Sequence, residues 1–590
     1  MQPYKIGKWD LSELVDDPYS TSFKDRLQEI ESKVKEFEEN KKNLAPNISE
    51  KKFIFILRAL EDISEKFGIV SGYASLEYSS DTQSDKITSL LTKMRKFGAE
   101  IDNRTLFFDQ WWKKQLDEKN AQRLMQNTGE LHEFLRHKRT LARYSLSEPE
   151  EKIINTLDVT GHSALVKLYD KITNAFQFTV KIDGKTRIYT REELTQLVRS
   201  PKAKIREIAY KSLLSQFDKN KGVLGEIYQN IVLNWKDECI QIRGYASPIS
   251  VRNIGNDVDD KTVESLISVC RSNADVFRRF FSLKGRILKM KKLQRYDLYA
   301  PIQKKEEKKY TYDKAVTTVL QTLDSFSPIL GKFAKKVFTE DHVDSQIRTG
   351  KRSGAFCSTI APKITPFVLL NFKGRANDVF TMAHELGHAI HSIAASDKSI
   401  FIQEASLPLA ETASTFSEML LFDRILNQVS DEERQAILVE HIDDLYATVG
   451  RQAYFTVFEI DAHQKIGENA TVQDISDEYM KTLKEQFGSS LSISPDFAVE
   501  WTCIPHFFHS PFYCYSYSFG NLLSLSLFQR YKKEGPSFAS TYVKILAAGG
   551  AKKPEELLQE YDIDISSKKF WQEGFDYIKN QIRRLEKVID

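Results

Sequence analysis

Five consecutive residues near the middle of the chain have the types and the spacing of a metal-dependent hydrolytic site. Residues 384–388 read His-Glu-Leu-Gly-His. Two histidines four positions apart on a helix lie one turn apart on the same face, so both imidazoles can bind one metal ion. Glu385 lies about 100° further around the helix, outside the ligand set but beside the open coordination position, where a general base acts. The pattern predicts His384 and His388 as ligands and Glu385 as the base.

The surrounding residues predict a helix that carries this pattern. Apolar residues recur with helical spacing between positions 379 and 390. Asn377 or Asp378 occupies the expected N-cap position. Gly387 lies inside the predicted helix, where glycine costs up to about 1 kcal/mol relative to alanine. A glycine there allows another backbone to pack closely against the helix.

A catalytic zinc site needs a third protein ligand and keeps its fourth position open. Glutamates follow the motif at 404, 411 and 418. Pro408 would interrupt a helix through the first two, and Ser406 as N-cap with Pro408 in the first turn predicts a new helix instead. Small residues around Glu411 would let two helices approach closely, so we interpret Glu411 as the third ligand. Glu418 is either an acceptor for the N–H of a ligand imidazole or an ordinary surface charge.

Several segments together resemble one family. They read Gly-Ala-Phe-Cys at 354–357, Pro-Phe-Val-Leu-Leu-Asn-Phe at 366–372, His-Glu-Leu-Gly-His-Ala-Ile-His at 384–391 and Ala-Glu-Thr-Ala-Ser at 410–414, with a distant match at 504–520. This set resembles the oligoendopeptidase F group of the thimet oligopeptidase family. The resemblance implies one Zn²⁺ per chain on His384, His388 and Glu411, with Glu385 as the base. It also implies a zinc metalloendopeptidase that cleaves short peptides rather than folded proteins, in a deep channel between mostly helical domains.

The resemblance further implies that a histidine and a tyrosine of the distant segment hold the substrate and stabilise the tetrahedral intermediate. His506 and His509 both fit this role, and Tyr513, Tyr515 and Tyr517 alternate. We prefer His506 and Tyr515, with Tyr513 as a further candidate. A phenol or an imidazolium can donate a hydrogen bond to the developing oxyanion. The alternative for each tyrosine is an aromatic face packed in a core.

A short apolar run precedes the motif helix. Residues 367–372 follow Pro366 and predict a β-strand. A strand beside a zinc helix can bind an extended peptide through main-chain hydrogen bonds, which would make cleavage only loosely dependent on sequence. The alternative is an internal strand with no free edge.

Charge and cysteine content narrow the class of protein. Lys and Arg number 85 against 82 Asp and Glu, a net charge of +3, which predicts no nucleic-acid partner. The five cysteines are widely spaced and form no C-x-x-C pair, so we expect reduced thiols in a cytoplasmic protein. The first residues lack the apolar core of a signal peptide, and no apolar run is long enough for a membrane span. The mixed charges of residues 304–309 predict an exposed loop.

Two rival hypotheses remain at this stage. One is a helical peptide-binding protein whose site has lost its activity, which would hold far less than one zinc per chain. The other is a zinc exopeptidase, for which we identify no charged clamp that would bind a peptide terminus. Cleavage of peptides blocked at both ends separates these hypotheses from an endopeptidase.

Outside the motifs, the pattern predicts a mainly α protein. Apolar residues keep helical spacing at 23–37 and 53–67, which predicts an antiparallel helix pair. The same spacing closes the chain at 571–585. Asp183-Gly184 between alternating residues predicts a β-hairpin over 178–189.

A chain of 590 residues predicts two or more domains. We place a multi-helix N-terminal domain at 1–195, with the hairpin near its end. The catalytic domain takes 196–590, and we expect it to be helical, of the gluzincin type, with a small β-sheet near the site.

Overall fold

The predicted mainly α architecture is confirmed by a computed structural model, which describes residues 3–302 and 309–589. The predicted loop at 304–309 lies outside the described residues except for Lys309. None of the helices in the described ranges combines the length and the apolar composition that a bilayer crossing needs.

The described ranges contain twenty-six α-helices and seven short strands, besides short 3-10 and π-helical segments. The helices are α1 (Thr21–Glu38), α2 (Glu50–Ser80), α3 (Asp85–Gln110), α4 (Glu118–Met125), α5 (His132–Ala142), α6 (Glu148–Asp158), α7 (His162–Asn174), α8 (Arg191–Leu197), α9 (Ala203–Lys219), α10 (Lys221–Trp235), α11 (Pro248–Gly255), α12 (Asp260–Ser272), α13 (Ala274–Ile287), α14 (Tyr312–Phe326), α15 (Pro328–Thr339), α16 (Ala376–Ala394), α17 (Leu407–Ala410), α18 (Thr412–Leu426), α19 (Asp431–Leu445), α20 (Arg451–Gly467), α21 (Val472–Phe487), α22 (Pro505–His509), α23 (Tyr515–Glu534), α24 (Ser537–Ala547), α25 (Pro554–Gln559) and α26 (Lys568–Ile589). The strands are β1 (Phe178–Ile182), β2 (Lys185–Tyr189), β3 (Leu293–Gln294), β4 (Val343–Asp344), β5 (Phe356–Ser358), β6 (Phe367–Leu369) and β7 (Leu491–Ser492).

The described chain divides into two compact units, each built from three separate segments. Unit 1 contains residues 3–143, 309–427 and 530–563, and unit 2 contains residues 144–302, 428–529 and 564–589. The predicted boundary near residue 195 coincides with none of the positions at which the chain passes from one unit to the other. The division into domains at this residue stays a prediction.

In unit 1, the N-terminal helices share a core with the strand that precedes the motif helix. Helices α1, α2 and α3 pack against one another, and the apolar face of α1 from Phe23 to Phe37 is buried, as its spacing predicts. The same cluster of buried side chains includes Phe367 and Leu369 of β6. The N-terminal helices therefore support the sheet beside the motif.

That sheet has three strands in the order β4-β6-β5, with β6 parallel to β4 and antiparallel to β5. The predicted strand is confirmed, but it ends at Leu369 rather than at Phe372. The prediction that it offers a free edge to a peptide is wrong, because both of its edges are paired. Its side chains are buried on both faces, which is typical of an internal strand. The outer strands of this sheet are β4 and β5.

In unit 2, the two remaining local predictions are confirmed. Strands β1 and β2 pair antiparallel through a two-residue turn, with Ile182 opposite Lys185. Asp183 and Gly184 have φ values of 48° and 80°, as this kind of turn requires. Helix α26 packs on α12, α13 and α19, with its apolar face from Trp571 to Leu585 buried.

Candidate metal centre

Helix α16 carries the motif and begins slightly earlier than predicted. Its N-cap is Arg375, not Asn377 or Asp378. The carboxylate of Asp378 instead accepts the backbone N–H groups of Arg375 and Lys373, at 3.0 and 2.7 Å. An acidic side chain at the third helical position commonly accepts backbone N–H groups at the start of a helix. The sequence therefore indicates a helix start here, but the N-cap lies two or three residues before the predicted position.

Close packing at Gly387 sets the distance between α16 and α18. A Cβ atom on Gly387 would lie 2.5 Å from both the carbonyl oxygen of Ala413 and the Cα of Ser414. Any side chain at this position would therefore force the two backbones apart. The predicted close approach is confirmed, and it brings Glu411 to the motif helix.

Three ligand-type atoms converge in unit 1. The Nε2 atoms of His384 and His388 are 3.2 Å apart, and Glu411 Oε2 is 3.6 Å from each of them. Tetrahedral zinc with bonds of 2.0–2.1 Å separates its ligand atoms by about 3.3 Å, so this set fits such an ion. Within residues 3–302 and 309–589, no other group of three His, Cys, Asp or Glu residues converges in this way.

The backbone at Glu411 departs from the single helix predicted to begin at Ser406. Ser406 is indeed the N-cap of α17, but α17 ends at Ala410 and α18 begins at Thr412, so Glu411 lies at the junction. The hydroxyl of Ser414 lies 3.0 Å from both the backbone oxygen and Oε2 of Glu411. This hydroxyl orients the carboxylate, a role that the sequence does not indicate, because a serine near a glutamate has no distinctive pattern.

Glu418 occupies the position predicted for a supporting acceptor. The Nδ1 of His384 donates a hydrogen bond to Glu418 Oε1. This bond places the ring proton on Nδ1 in the neutral imidazole, which leaves the lone pair of Nε2 facing His388 and Glu411. The backbone carbonyl of Ala410 accepts a hydrogen bond from His388. Hydrogen bonds to Glu418 and to the Ala410 carbonyl therefore fix the orientation of the two imidazoles.

The surrounding charges favour a cation at this point. Burial alone would lower the pKa of His384, but the hydrogen bond and charge of Glu418, with the other acidic groups, raise it to about 9. Burial and the positive charge of His384 lower the pKa of His388 to about 4. The site therefore attracts one positive charge and disfavours a second proton, which suits a single metal ion.

Glu385 lies next to these atoms but is not one of them. Burial, assisted by the charges of Glu411 and Glu418, raises the pKa of Glu385 to about 7, while the charge of His384 and a backbone N–H donated by Cys357 of β5 lower it. Glu404, the first of the three candidate glutamates, does not reach the two imidazoles and lines a neighbouring cavity of about 360 Å³.

The late motif, residues 504–520, lies in unit 2. His506 is half-buried in α22, its Nε2 is 3.4 Å from the hydroxyl of Tyr517, and its ring stacks with that of Tyr513 at 6.1 Å. Tyr515 is fully buried, and its hydroxyl accepts a hydrogen bond of 2.8 Å from the side-chain amide of Asn256.

The other late histidine has a different setting. His509 is exposed, and its Nε2 lies 2.8 Å from a carboxylate oxygen of Asp170. Within unit 2 the structure therefore groups His506 with Tyr513 and Tyr517, and it separates Tyr515 and His509 from that group. The signal for this grouping is the two-residue alternation across the start of α23, which the sequence alone could not assign to a face.

Comparisons with known proteins cover nearly the whole chain. Residues 196–577 match the model of Peptidase family M3, and residues 114–178 match that of Oligopeptidase F. The oligoendopeptidase F homolog of Borreliella burgdorferi is 28% identical over 98% of each chain. The chromosomal oligoendopeptidase F of Lactococcus lactis subsp. cremoris is 25% identical over 99% of this chain and 97% of its own.

Solved structures with the same fold include a crystal structure from Chlamydophila abortus and oligoendopeptidase-F from Enterococcus faecium. The first has a TM-score of 0.87 at 22% identity and covers 98% of each chain. The second has a TM-score of 0.70 at 19% identity and covers 96% of this chain and 99% of its own.

Proposed function

The chain belongs to peptidase family M3, in the oligoendopeptidase F group, and we propose that it is a zinc-dependent metalloendopeptidase that hydrolyses short oligopeptides. The observation that carries this proposal is the convergence of His384, His388 and Glu411, with Glu385 beside them. Two imidazoles and a carboxylate are a ligand set of catalytic zinc sites, which leave one position for water or substrate. The names of the relatives support a peptidase that acts on oligopeptides.

Different residues of the chain have different roles in hydrolysis. A zinc ion, when bound, would polarise the scissile carbonyl and make a water molecule more acidic. A carboxylate oxygen of Glu385 accepts the proton of the attacking water and then delivers it to the nitrogen of the leaving amine. Glu418 holds His384, and Ser414 holds Glu411. Preorganised groups of this kind need no rearrangement during the reaction.

We infer that His506, Tyr513 and Tyr517 supply the substrate contacts that the resemblance assigns to the late motif. The hydroxyl of Tyr515 is buried and bonded to Asn256, so it supports a structural role better than a contact with a peptide. We assign Tyr517, rather than Tyr515, as the hydrogen-bond donor to the oxyanion, because the Tyr517 hydroxyl lies beside His506.

An extended peptide would pair with β5 rather than with β6. As an outer strand, β5 carries Cys357, whose N–H donates to Glu385. Main-chain pairing along β5 would place the peptide next to the general base. The cytoplasmic location and the substrate channel stay predictions, the first from the cysteine pattern and the second from the family resemblance.

The test uses peptides of graded length that are blocked at both ends, incubated with the protein in the presence and absence of a chelator. We expect internal cleavage of short peptides, loss of cleavage with chelator and recovery with one equivalent of zinc. Cleavage that persists without metal, or that requires a free terminus, would contradict the proposal. Products are identified by mass spectrometry.

A further inference from the structure

A cavity of about 360 Å³ in unit 1 adjoins the general base. Its wall includes Glu385 and His388 of α16, Thr359 after β5, and Gln403 and Glu404 from the segment before α17. This volume accommodates one long amino-acid side chain. Because the base and one proposed metal ligand form part of the wall, a side chain in the cavity belongs to a residue close to the scissile bond.

Most polar groups of this wall already have partners. The hydroxyl of Thr359 donates to Ser392 Oγ at 3.0 Å. The buried amide of Gln403 donates to the backbone oxygen and to Oγ of the same Ser392, at 3.3 and 3.2 Å. These contacts hold the wall in place and use most of its hydrogen-bonding groups. The wall therefore determines the shape of the cavity rather than a preference for charge.

Glu404 differs from these groups. Its side chain is exposed, and in the part of the chain that the structure describes, no lysine or arginine lines the cavity. Burial raises the pKa of the Cys357 thiol, and the charges of Glu385 and Glu404 raise it further. Both carboxylates therefore act on the same point of the wall. The cavity therefore combines a fixed polar wall with one exposed carboxylate, that of Glu404.

We propose that this cavity is a substrate subsite selective for a positively charged side chain, lysine or arginine, at one position next to the scissile bond, and that Glu404 determines this selectivity. The proposal rests on the proposed function, because it assigns a side chain to a peptide that the metal centre would cleave. An exposed carboxylate supplies a modest Coulomb attraction, so we expect a selectivity effect of about fivefold for one charge.

The test compares peptides that are blocked at both ends and differ at a single position, with lysine, glutamine or glutamate placed in turn on each side of the scissile bond. The blocked ends make the lysine side chain the only cation, so a terminal ammonium cannot produce the effect. Ratios of kcat/KM come from competition between peptides, read by mass spectrometry. The proteins are the wild type, Glu404→Gln, Glu404→Lys and the control Glu100→Gln, which removes an exposed carboxylate elsewhere in unit 1.

We expect the wild type to prefer lysine over glutamate at one position. The ratio of kcat/KM for the lysine peptide to that for the glutamine peptide, which differ by one charge, should fall about fivefold in Glu404→Gln and further in Glu404→Lys. This ratio should shrink with added salt and should not change in the control. An equal ratio in the wild type and both Glu404 variants would overturn the subsite while leaving the peptidase intact. A wild type that cleaves no peptide would overturn the proposed function and this inference with it.

A second readout does not depend on turnover. Calorimetric dissociation constants for the uncleaved peptides are measured on Glu385→Gln, with and without Glu404→Gln. The lysine peptide should bind more tightly than the glutamine peptide only while Glu404 is present. Equal binding in both proteins would also overturn the subsite.

Discussion

The candidate metal centre of unit 1 and the late motif of unit 2 are stabilised by different kinds of contact. Around His384 and His388, charged groups face one another, and Glu418, Glu411 and Glu385 form a negative field around two imidazoles. The late motif is instead aromatic: rings of His506, Tyr513 and Tyr517 contact one another. In the first site, the electrostatic interactions depend on the charge of each side chain. In the second, the contacts depend on how the rings pack against one another.

This difference explains why the two sites tolerate different changes. Removing a charged group from the metal centre leaves its partners uncompensated in a partly buried place, which is costly. Removing one phenolic oxygen from the late motif keeps the ring and its packing. We therefore expect larger effects in unit 1 than in unit 2 for changes of a single atom or two.

The largest effect should follow from Glu385→Gln. The amide keeps the shape of the side chain but cannot accept the proton of water, so turnover should fall by about 10³-fold or more. Metal content, measured by atomic absorption, should stay at one per chain. Substantial turnover in this variant would contradict the assignment of Glu385 as the general base.

The next effect should follow from Glu418→Gln, which weakens the support behind His384. Loss of such an acceptor costs about 10- to 100-fold in metal affinity. Competition with a fluorescent zinc chelator measures this affinity, and Glu100→Gln is the matched control. An unchanged affinity would mean that the contact with His384 Nδ1 does not tune the metal centre.

In the late motif, the hydroxyls of Tyr513 and Tyr517 should matter more for turnover than that of Tyr515. We expect Tyr517→Phe to lower kcat/KM by about tenfold or more, since one oxyanion donor contributes at least this much. Tyr515→Phe should mainly lower the melting temperature, because it removes the buried contact with Asn256. The reverse order of effects on kcat/KM would restore Tyr515 as the donor.

The smallest effect concerns the support of the late motif and depends on pH. Glu459 of α20 is buried and accepts the backbone N–H of Phe512 at 2.8 Å, and Phe512 has a φ of 58°. Burial raises the pKa of Glu459 from 4.5 to about 8. Between these values the folded state binds more protons than the unfolded state, so stability falls as pH rises.

Glu459→Gln removes this dependence because its amide oxygen can still accept the N–H of Phe512 and does not titrate. Relative to the wild type, the variant should gain a few degrees of melting temperature between pH 5 and pH 8.5. Thermal unfolding at both values measures the change. The same difference between variant and wild type at both pH values would contradict the buried, neutral state of Glu459.

The sequence predicts the convergence of His384, His388 and Glu411 better than the arrangement of the late motif, for a physical reason. Helical spacing alone places His384 and His388 on one face, and a glycine at 387 indicates a close neighbour. The break at Glu411 was not predictable, because it depends on how α17 and α18 pack against α16. In the late motif, alternating tyrosines serve equally as core or as site residues, so only the packing of α23 separates Tyr515 from Tyr513 and Tyr517.

The fold shows the same contrast between local and distant information. The hairpin at 178–189 and the helices at 21–38 and 568–589 follow from short-range patterns and agree with the structure. The pairing of β6 on both edges depends on strands β4 and β5, which are two and three residues long. Strands this short leave almost no pattern in the sequence.

Anomalous scattering at the zinc absorption edge, from crystals of the protein loaded with zinc, tests the central claim most directly. The account predicts one strong peak in unit 1, about 2.0–2.2 Å from His384 Nε2, His388 Nε2 and a carboxylate oxygen of Glu411. The absence of a peak, or a peak whose ligands do not include Glu411, would contradict it.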